Sequence, residues 1–267
     1  MQKHWARIKT GLFLGLLSIV SIFFFPNWLF FILCGGVISA AFWEFLNLIG
    51  YHTLAKKGLG MVIFWALTAL MLQHRQGTFY LAVIGWILAA VLIFVPLPRL
   101  AFFKKGWLQL CVGVLMLAPA WVAFVEVHQH WRTLVFYLIM LICFADTGAY
   151  FVGTAMGRHK LLPKVSPKKS VEGLIGGLII GDLAGLSVVL FLPHWGGISL
   201  RLWGIAGVIL ILVSVLGDLF ESLLKRLYDA KDSGSLLPGH GGLLDRMDSL
   251  CAAAPFFVLF CYATHLI

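Results

Sequence analysis

A chain of 267 residues could hold one or two globular domains, but 61% of its residues are hydrophobic and only 12% are charged, about half the share of a soluble domain. That balance excludes a separate soluble domain, and apolar stretches long enough to cross a bilayer recur throughout. The formal net charge of +9 therefore belongs with loops and anionic substrates, and not with nucleic acid: no basic stripe with interleaved aromatics lies outside the apolar segments.

The composition predicts an all-α, polytopic integral membrane protein with about nine transmembrane helices in one membrane domain over 1–267. The spans are expected at about 9–25, 28–50, 59–73, 78–95, 107–125, 133–153, 171–192, 203–224 and 249–266. Lys3 to Lys9 followed by apolar Gly11 to Phe25 has the outline of a signal peptide. No small-residue cleavage site follows, and a second apolar stretch opens after Pro26-Asn27, so a retained first helix is expected. The five cysteines all fall in apolar segments without C-x-x-C spacing and read as small buried hydrophobes. With the N-terminus in the cytoplasm and nine alternating spans, 17 of the 20 Lys and Arg residues fall on the cytoplasmic side, leaving Arg75, Arg132 and Arg201 outside.

Acidic residues inside apolar spans demand a reason. In chain order they are Glu44, Asp146, Asp182, Asp218 and Glu221, and neither Glu44 nor Asp182 has a role that the sequence alone assigns. Glu126, His128 and His130 form an E-x-H-x-H on the outer side, which reads as a wet loop in preference to a metal site. Asp146-Thr147-Gly148-Ala149-Tyr150 ends the sixth span. Ser166, Lys168, Lys169 and Ser170 then precede the seventh helix, where hydroxyls and paired cations at a helix N-terminus suit a phosphate group. Glu172 fits a capping role there. Gly173, Gly177, Gly181 and Gly185 lie four apart, a ridge expected to meet another helix of the same chain.

Asp218, Glu221 and Lys225 fall on one face of the eighth helix, bordered by Ser222 and Arg226. Either they hold a buried acid–lysine pair that joins helices, or Asp218 forms a Mg²⁺ site with Asp245 from the far end of the loop. The loop that follows is the most polar run in the chain, with Lys225, Arg226, Lys231 and Arg246 set among Asp229, Asp232, Asp245 and Asp248. Gly239, Gly241 and Gly242 flank His240, so the backbone there can turn its N–H groups toward an anion. Asp245 and Asp248 open the ninth helix, where the dipole favours carboxylates.

From Ser222 through Lys225-Arg226, Lys231-Asp232, Pro238, His240-Gly241-Gly242, Asp245-Arg246 and Asp248, this order resembles the C-terminal motif of the phosphatidate cytidylyltransferase family, the CDP-diacylglycerol synthases. Asp146-Thr147-Gly148-Ala149-Tyr150 and Ser166-Pro167-Lys168-Lys169-Ser170-x-Glu172-Gly173 resemble two further motifs of that family. The resemblance implies a membrane enzyme with its catalytic half at about 133–267; the Lys and Arg distribution places both polar loops, 154–170 and 225–248, on the cytoplasmic side, and the size of the chain suits a bacterial inner-membrane enzyme. It would join CTP and phosphatidic acid into CDP-diacylglycerol and pyrophosphate. It further implies metal on Asp218 and Asp245, a second, monovalent cation, and a homodimer. Asp218, Asp245, Lys225, Arg246 and Asp248 are the expected catalytic groups. Ser166, Lys168, Lys169, Ser170, Ser222, Arg226, Lys231, Asp232, His240, Gly241, Gly242 and Asp146 are the expected substrate contacts. Competing readings are cytidylyl transfer to another lipid phosphate and an ion-coupled transporter, although no inverted repeat is evident. A CDP-alcohol phosphotransferase is disfavoured, because its paired aspartate pattern is missing from the sequence.

Overall fold

The computed structural model describes residues 2–191, 197–236 and 241–267, with side chains from Gly11 onward. Its helices in chain order are α1 (Gln2–Phe24), α2 (Asn27–Leu48), α3 (Leu54–Gln73), α4 (Arg75–Leu92), α5 (Gly106–His130), α6 (Arg132–Met156), α7 (Val171–Phe191), α8 (Leu200–Leu227) and α9 (Leu244–Ala263). A 3₁₀ helix, Leu97–Lys104, joins α4 to α5. Helices α2 to α9 are long and apolar enough to cross a membrane, and the apolar part of α1, Gly11–Phe24, is shorter. Helices are the expected solution in lipid, where each backbone N–H and C=O must find its partner within the protein.

The third and ninth helices begin earlier than their apolar cores, at Leu54 and Leu244. Polar residues do not stop a helix: Lys56 and Lys57 lie in the first turn of α3, and Asp245 and Asp248 in the opening turns of α9.

Helix α5 is the axis of the bundle. It packs against α2, α3, α4, α6 and α9, and Met116 through Val125 are buried without a break. Around it interlock Phe42, Phe64, Trp65 and Trp121, with Phe42 and Phe64 centroids 4.2 Å apart and Trp65 edge-on to Trp121 at 5.2 Å. Such packing replaces the hydrophobic effect as the force joining helices in lipid.

The stretch read as a wet outer loop is instead the last turn of α5. Glu126 and His128 are buried, and each has a partner. Glu126 pairs with Arg75 and accepts from the Tyr262 hydroxyl at 3.0 Å. His128 Nε2 bonds Ile22 O at 3.1 Å, and its ring stacks on Phe30 at 3.8 Å. The helix persists because these side chains have inward partners that a sequence window cannot see. The cysteines also divide: Cys251 and Cys261 are buried as expected, Cys34 is half-buried, and Cys111 and Cys143 are exposed, contrary to the expectation.

The glycine ridge of α7 meets α6 of the same chain, as expected. A Cβ on Gly173 would stand 2.9 Å from Ala149 O, one on Gly177 2.8 Å from Ala145 O, and one on Gly185 2.7 Å from Leu141 Cδ1. Backbone therefore lies against backbone from Gly173 to Gly181, and side chains of α6 fill the space at Gly185. Between the two helices, where a loop was expected, residues 160–170 form a small antiparallel hairpin of β1 (Lys160–Leu162) and β2 (Ser166–Ser170).

Gly177→Val should lower stability by about 1–3 kcal/mol through overpacking against Ala145. Thermal unfolding of the detergent-purified protein checks this, with Gly36→Ala, whose Cβ meets nothing within 4 Å, expected to match the parent.

Candidate active site

The end of α8 and the start of α9 are brought together by a missing side chain. A Cβ on Gly217 would fall 2.8 Å from Ala252 Cβ and 3.1 Å from the Asp248 carbonyl carbon. Without it α9 closes on α8, and Asp218, on the next residue, meets Asp248. Ligand atoms of Asp218, Glu221 and Asp248 all lie within 4.8 Å of one another. Glu221 is fully buried, and the Lys225 ammonium pairs with its Oε2. Three oxygen donors of this kind fit a hard divalent cation such as Mg²⁺. Ser222 Oγ donates to Asp218 Oδ1 at 3.4 Å, one turn along the same helix.

Asp245, in the first turn of α9, sits beside this group with both oxygens engaged. Lys225 Nζ donates to Oδ1 at 2.6 Å, while the N–H groups of Ser233 and Gly242 donate to Oδ2 at 3.1 and 3.0 Å. Lys225 thus bridges Glu221 and Asp245, and the acid–lysine pairing foreseen for α8 coexists with the acidic cluster. The three-acid group contains Asp248 and Glu221 where Asp245 was expected as Asp218's partner. Gly241 has φ +85°, a left-handed conformation that favours glycine.

The hairpin supplies the facing wall. Ser170 Oγ caps α7, accepting from Gly173 N–H at 3.1 Å, and Lys169 Nζ reaches Asp218 Oδ2 at 2.5 Å. Glu172, in the first turn of α7, does more than the capping expected of it. It accepts from the N–H groups of Arg158 and His159, at 3.0 and 3.2 Å, and from His159 Nδ1 at 2.6 Å, tying the hairpin's entry to its exit.

Between these elements lies a cavity of about 800 Å³. Its polar wall holds Lys168, Lys169, Ser170, Lys225, Asp245 and Arg246 together with Asp146, Asp218 and Asp248. It continues along α6 and α8 to Cys143, Ile211 and Val215, so one space has a charged end and an apolar flank.

Of the residues expected from the sequence, these nine line the cavity. Ser166, on β2, and Ser222, Gly241 and Gly242 stand outside its lining; Ser222 reaches it through Asp218 and Gly242 through Asp245. Arg226, Lys231 and Asp232 are exposed and do not line it. His240, with Pro238 and Gly239, lies outside the described residues. Sequence reasoning left Glu44 and Asp182 without a role and set Glu221 beside Asp218 without making it a metal ligand; Asp182, on α7, lies against Gly204 and Gly207 of α8. Glu221 completes the acidic cluster, which its spacing of three from Asp218 could have suggested. Glu44, on α2, accepts from the Leu236 and Leu244 N–H groups across nearly the whole chain, and nothing local signals that.

A sequence model of the cytidylyltransferase family matches residues 5–264. The phosphatidate cytidylyltransferase of Pseudomonas aeruginosa is 38% identical over 268 residues, covering 96% of both chains. Those of Haemophilus influenzae and Bacillus subtilis are each 34% identical, covering 95% and 85% of this chain and 97% and 86% of their own. With residues of all three motifs on one cavity wall and the match running nearly end to end, this chain belongs to the cytidylyltransferase family.

Proposed function

We propose that this protein is a phosphatidate cytidylyltransferase, transferring CMP from CTP to phosphatidic acid to give CDP-diacylglycerol and pyrophosphate. The observation that carries the reading is the cavity itself: cations and carboxylates at one end, an apolar flank along α6 and α8 at the other. A lipid phosphate needs both, because its head must meet the nucleotide while its chains stay in hydrocarbon.

A phosphatidate oxygen attacks the α-phosphorus of CTP, a new P–O bond forms, and the bond to the bridging oxygen of the β-phosphate breaks. The attacking monoester is already ionised near neutral pH, so no general base is required. Catalysis is then positioning and neutralisation of charge. Lys168, Lys169, Lys225 and Arg246 line the cavity and offset phosphate charge; Lys225 is oriented for this by Glu221 and Asp245. Asp218, Glu221 and Asp248 would hold Mg²⁺, which when bound supplies compact positive charge for phosphate oxygens. Asp245, also expected from the sequence to take part in metal binding, is the group through which the glycine-rich loop and Lys225 are held to α9. The cavity faces the cytoplasm of a bacterial inner membrane in this reading, supported by the 17 Lys and Arg residues assigned to that side.

Purified protein in mixed micelles with labelled CTP, phosphatidic acid and Mg²⁺ should yield CDP-diacylglycerol and pyrophosphate. Product only with a different lipid phosphate would move the substrate, and none with any would defeat the reading. Asp218→Asn and Asp248→Asn should each lower kcat by about 100-fold or more while unfolding at the parent's temperature; near-parental turnover across a Mg²⁺ titration would refute the metal assignment. EDTA should abolish turnover, and excess Mg²⁺ restore it. Lys168→Ala should raise KM for one substrate with kcat little changed, as loss of uniform binding requires.

A further inference from the structure

The half of the chain before α6 places no side chain in the cavity lining, yet Glu44 near the end of α2 reaches the loop that leads into α9. Its carboxylate is 1% exposed. Leu236 N–H donates to Oε1 at 3.2 Å and Leu244 N–H to Oε2 at 3.0 Å. Among the described ion pairs none involves Glu44, so its charge is met by amide dipoles. Asp245 takes two more N–H groups of the same segment, those of Ser233 and Gly242. Four backbone donors, at residues 233, 236, 242 and 244, are thus shared between two carboxylates, one from α2 and one from α9.

The surrounding sequence makes room for this. A Cβ on Gly234 would run into the Glu44 carboxylate, and one on Gly242 would stand 2.8 Å from Glu44 Oε2. Buried backbone N–H groups are rarely left unpaired, and bonds to a charged acceptor are the stronger kind. A helix-to-helix tie would need only one such bond. Here both oxygens are spent on the flanks of the segment whose Gly242 N–H also holds Asp245.

We infer that Glu44 is a positioning residue for cytidylyl transfer: by holding the 236 and 244 backbone it sets Asp245, and through Asp245 the Lys225 ammonium, at the cavity wall. The inference rests on the reading given under Proposed function. Its action is indirect, since Glu44 itself does not line the cavity.

The test compares the parent, Glu44→Gln and Gly234→Ala in detergent micelles. Gln keeps the shape of Glu44 but presents an NH₂ donor to one of the two N–H groups. Gly234→Ala keeps the carboxylate and denies it space. Amide hydrogen exchange over 233–244 should quicken about 10-fold or more in both variants, with α5 peptides unchanged. In the same samples kcat/KM for CTP should fall about 10- to 100-fold, with KM raised as well as kcat lowered. Unchanged exchange over 233–244 would overturn the inference. So would faster exchange throughout α5 with KM unaltered, the mark of a general loss of folded protein. If Glu44→Gln does not fold, Gly234→Ala decides by the same readouts. A parent without cytidylyl transfer would fail the functional reading alone, and the exchange comparison would still decide whether Glu44 holds the segment.

Discussion

The Lys225 ammonium sits between Glu221 on its own helix and Asp245 on the next, and the charged end of the cavity is assembled around that bridge. A carboxylate as deeply buried as Glu221 is costly in lipid unless a cation meets it. Lys225 meets it and still has a donor for Asp245, whose second oxygen collects two amides of the intervening segment. Removing the lysine would strand two acids and loosen three pieces of chain together. The ion pair is thus best understood as a junction, and its worth exceeds that of an exposed salt bridge because both acids are sheltered from solvent.

The same reasoning explains how one site serves a water-soluble and a lipid-soluble substrate. Acidic and basic groups at the polar end of the cavity are paired with one another. Lys169 lies on Asp218, Lys225 on Glu221 and Asp245. Triphosphate binding would have to compete for these cations, and a divalent ion for these anions. Both exchanges can be nearly balanced, which suits an enzyme that must release a charged product.

Much of this was readable in the sequence, for identifiable reasons. The helices follow from hydropathy, and a close contact of α7 with another helix of the chain from four glycines at spacing four; that the partner is α6 came from the structure. The α8 face follows from acids and a lysine at helical intervals. Signals of that kind are local. Others are not: Glu44 finds its partners about 190–200 residues away, and Glu126 and His128 stay helical because of Arg75, Tyr262 and Ile22. The hairpin at 160–170 was hidden because its second strand is Ser-Pro-Lys-Lys-Ser, with neither β-branched residues nor apolar alternation. Asp248 was placed near the ligands, but its meeting with Asp218 and Glu221 depends on how closely α9 approaches Gly217, a tertiary distance.

The hairpin gains a further meaning from the helices on either side of it. It leaves α6 and enters α7 where those two are locked backbone to backbone by glycine, and Glu172 clasps its two ends together. Such a projection has little freedom to rise or sink relative to the bundle. In the proposed reaction the lysines on its second strand would act as a depth gauge: with the hairpin held to the bundle, they would set the level at which a lipid phosphate is met. A lipid whose headgroup rides higher or lower, because of a bulky substituent or a different glycerol linkage, would present its phosphorus at the wrong height. Discrimination among membrane lipids would then follow from elevation as much as from chemistry.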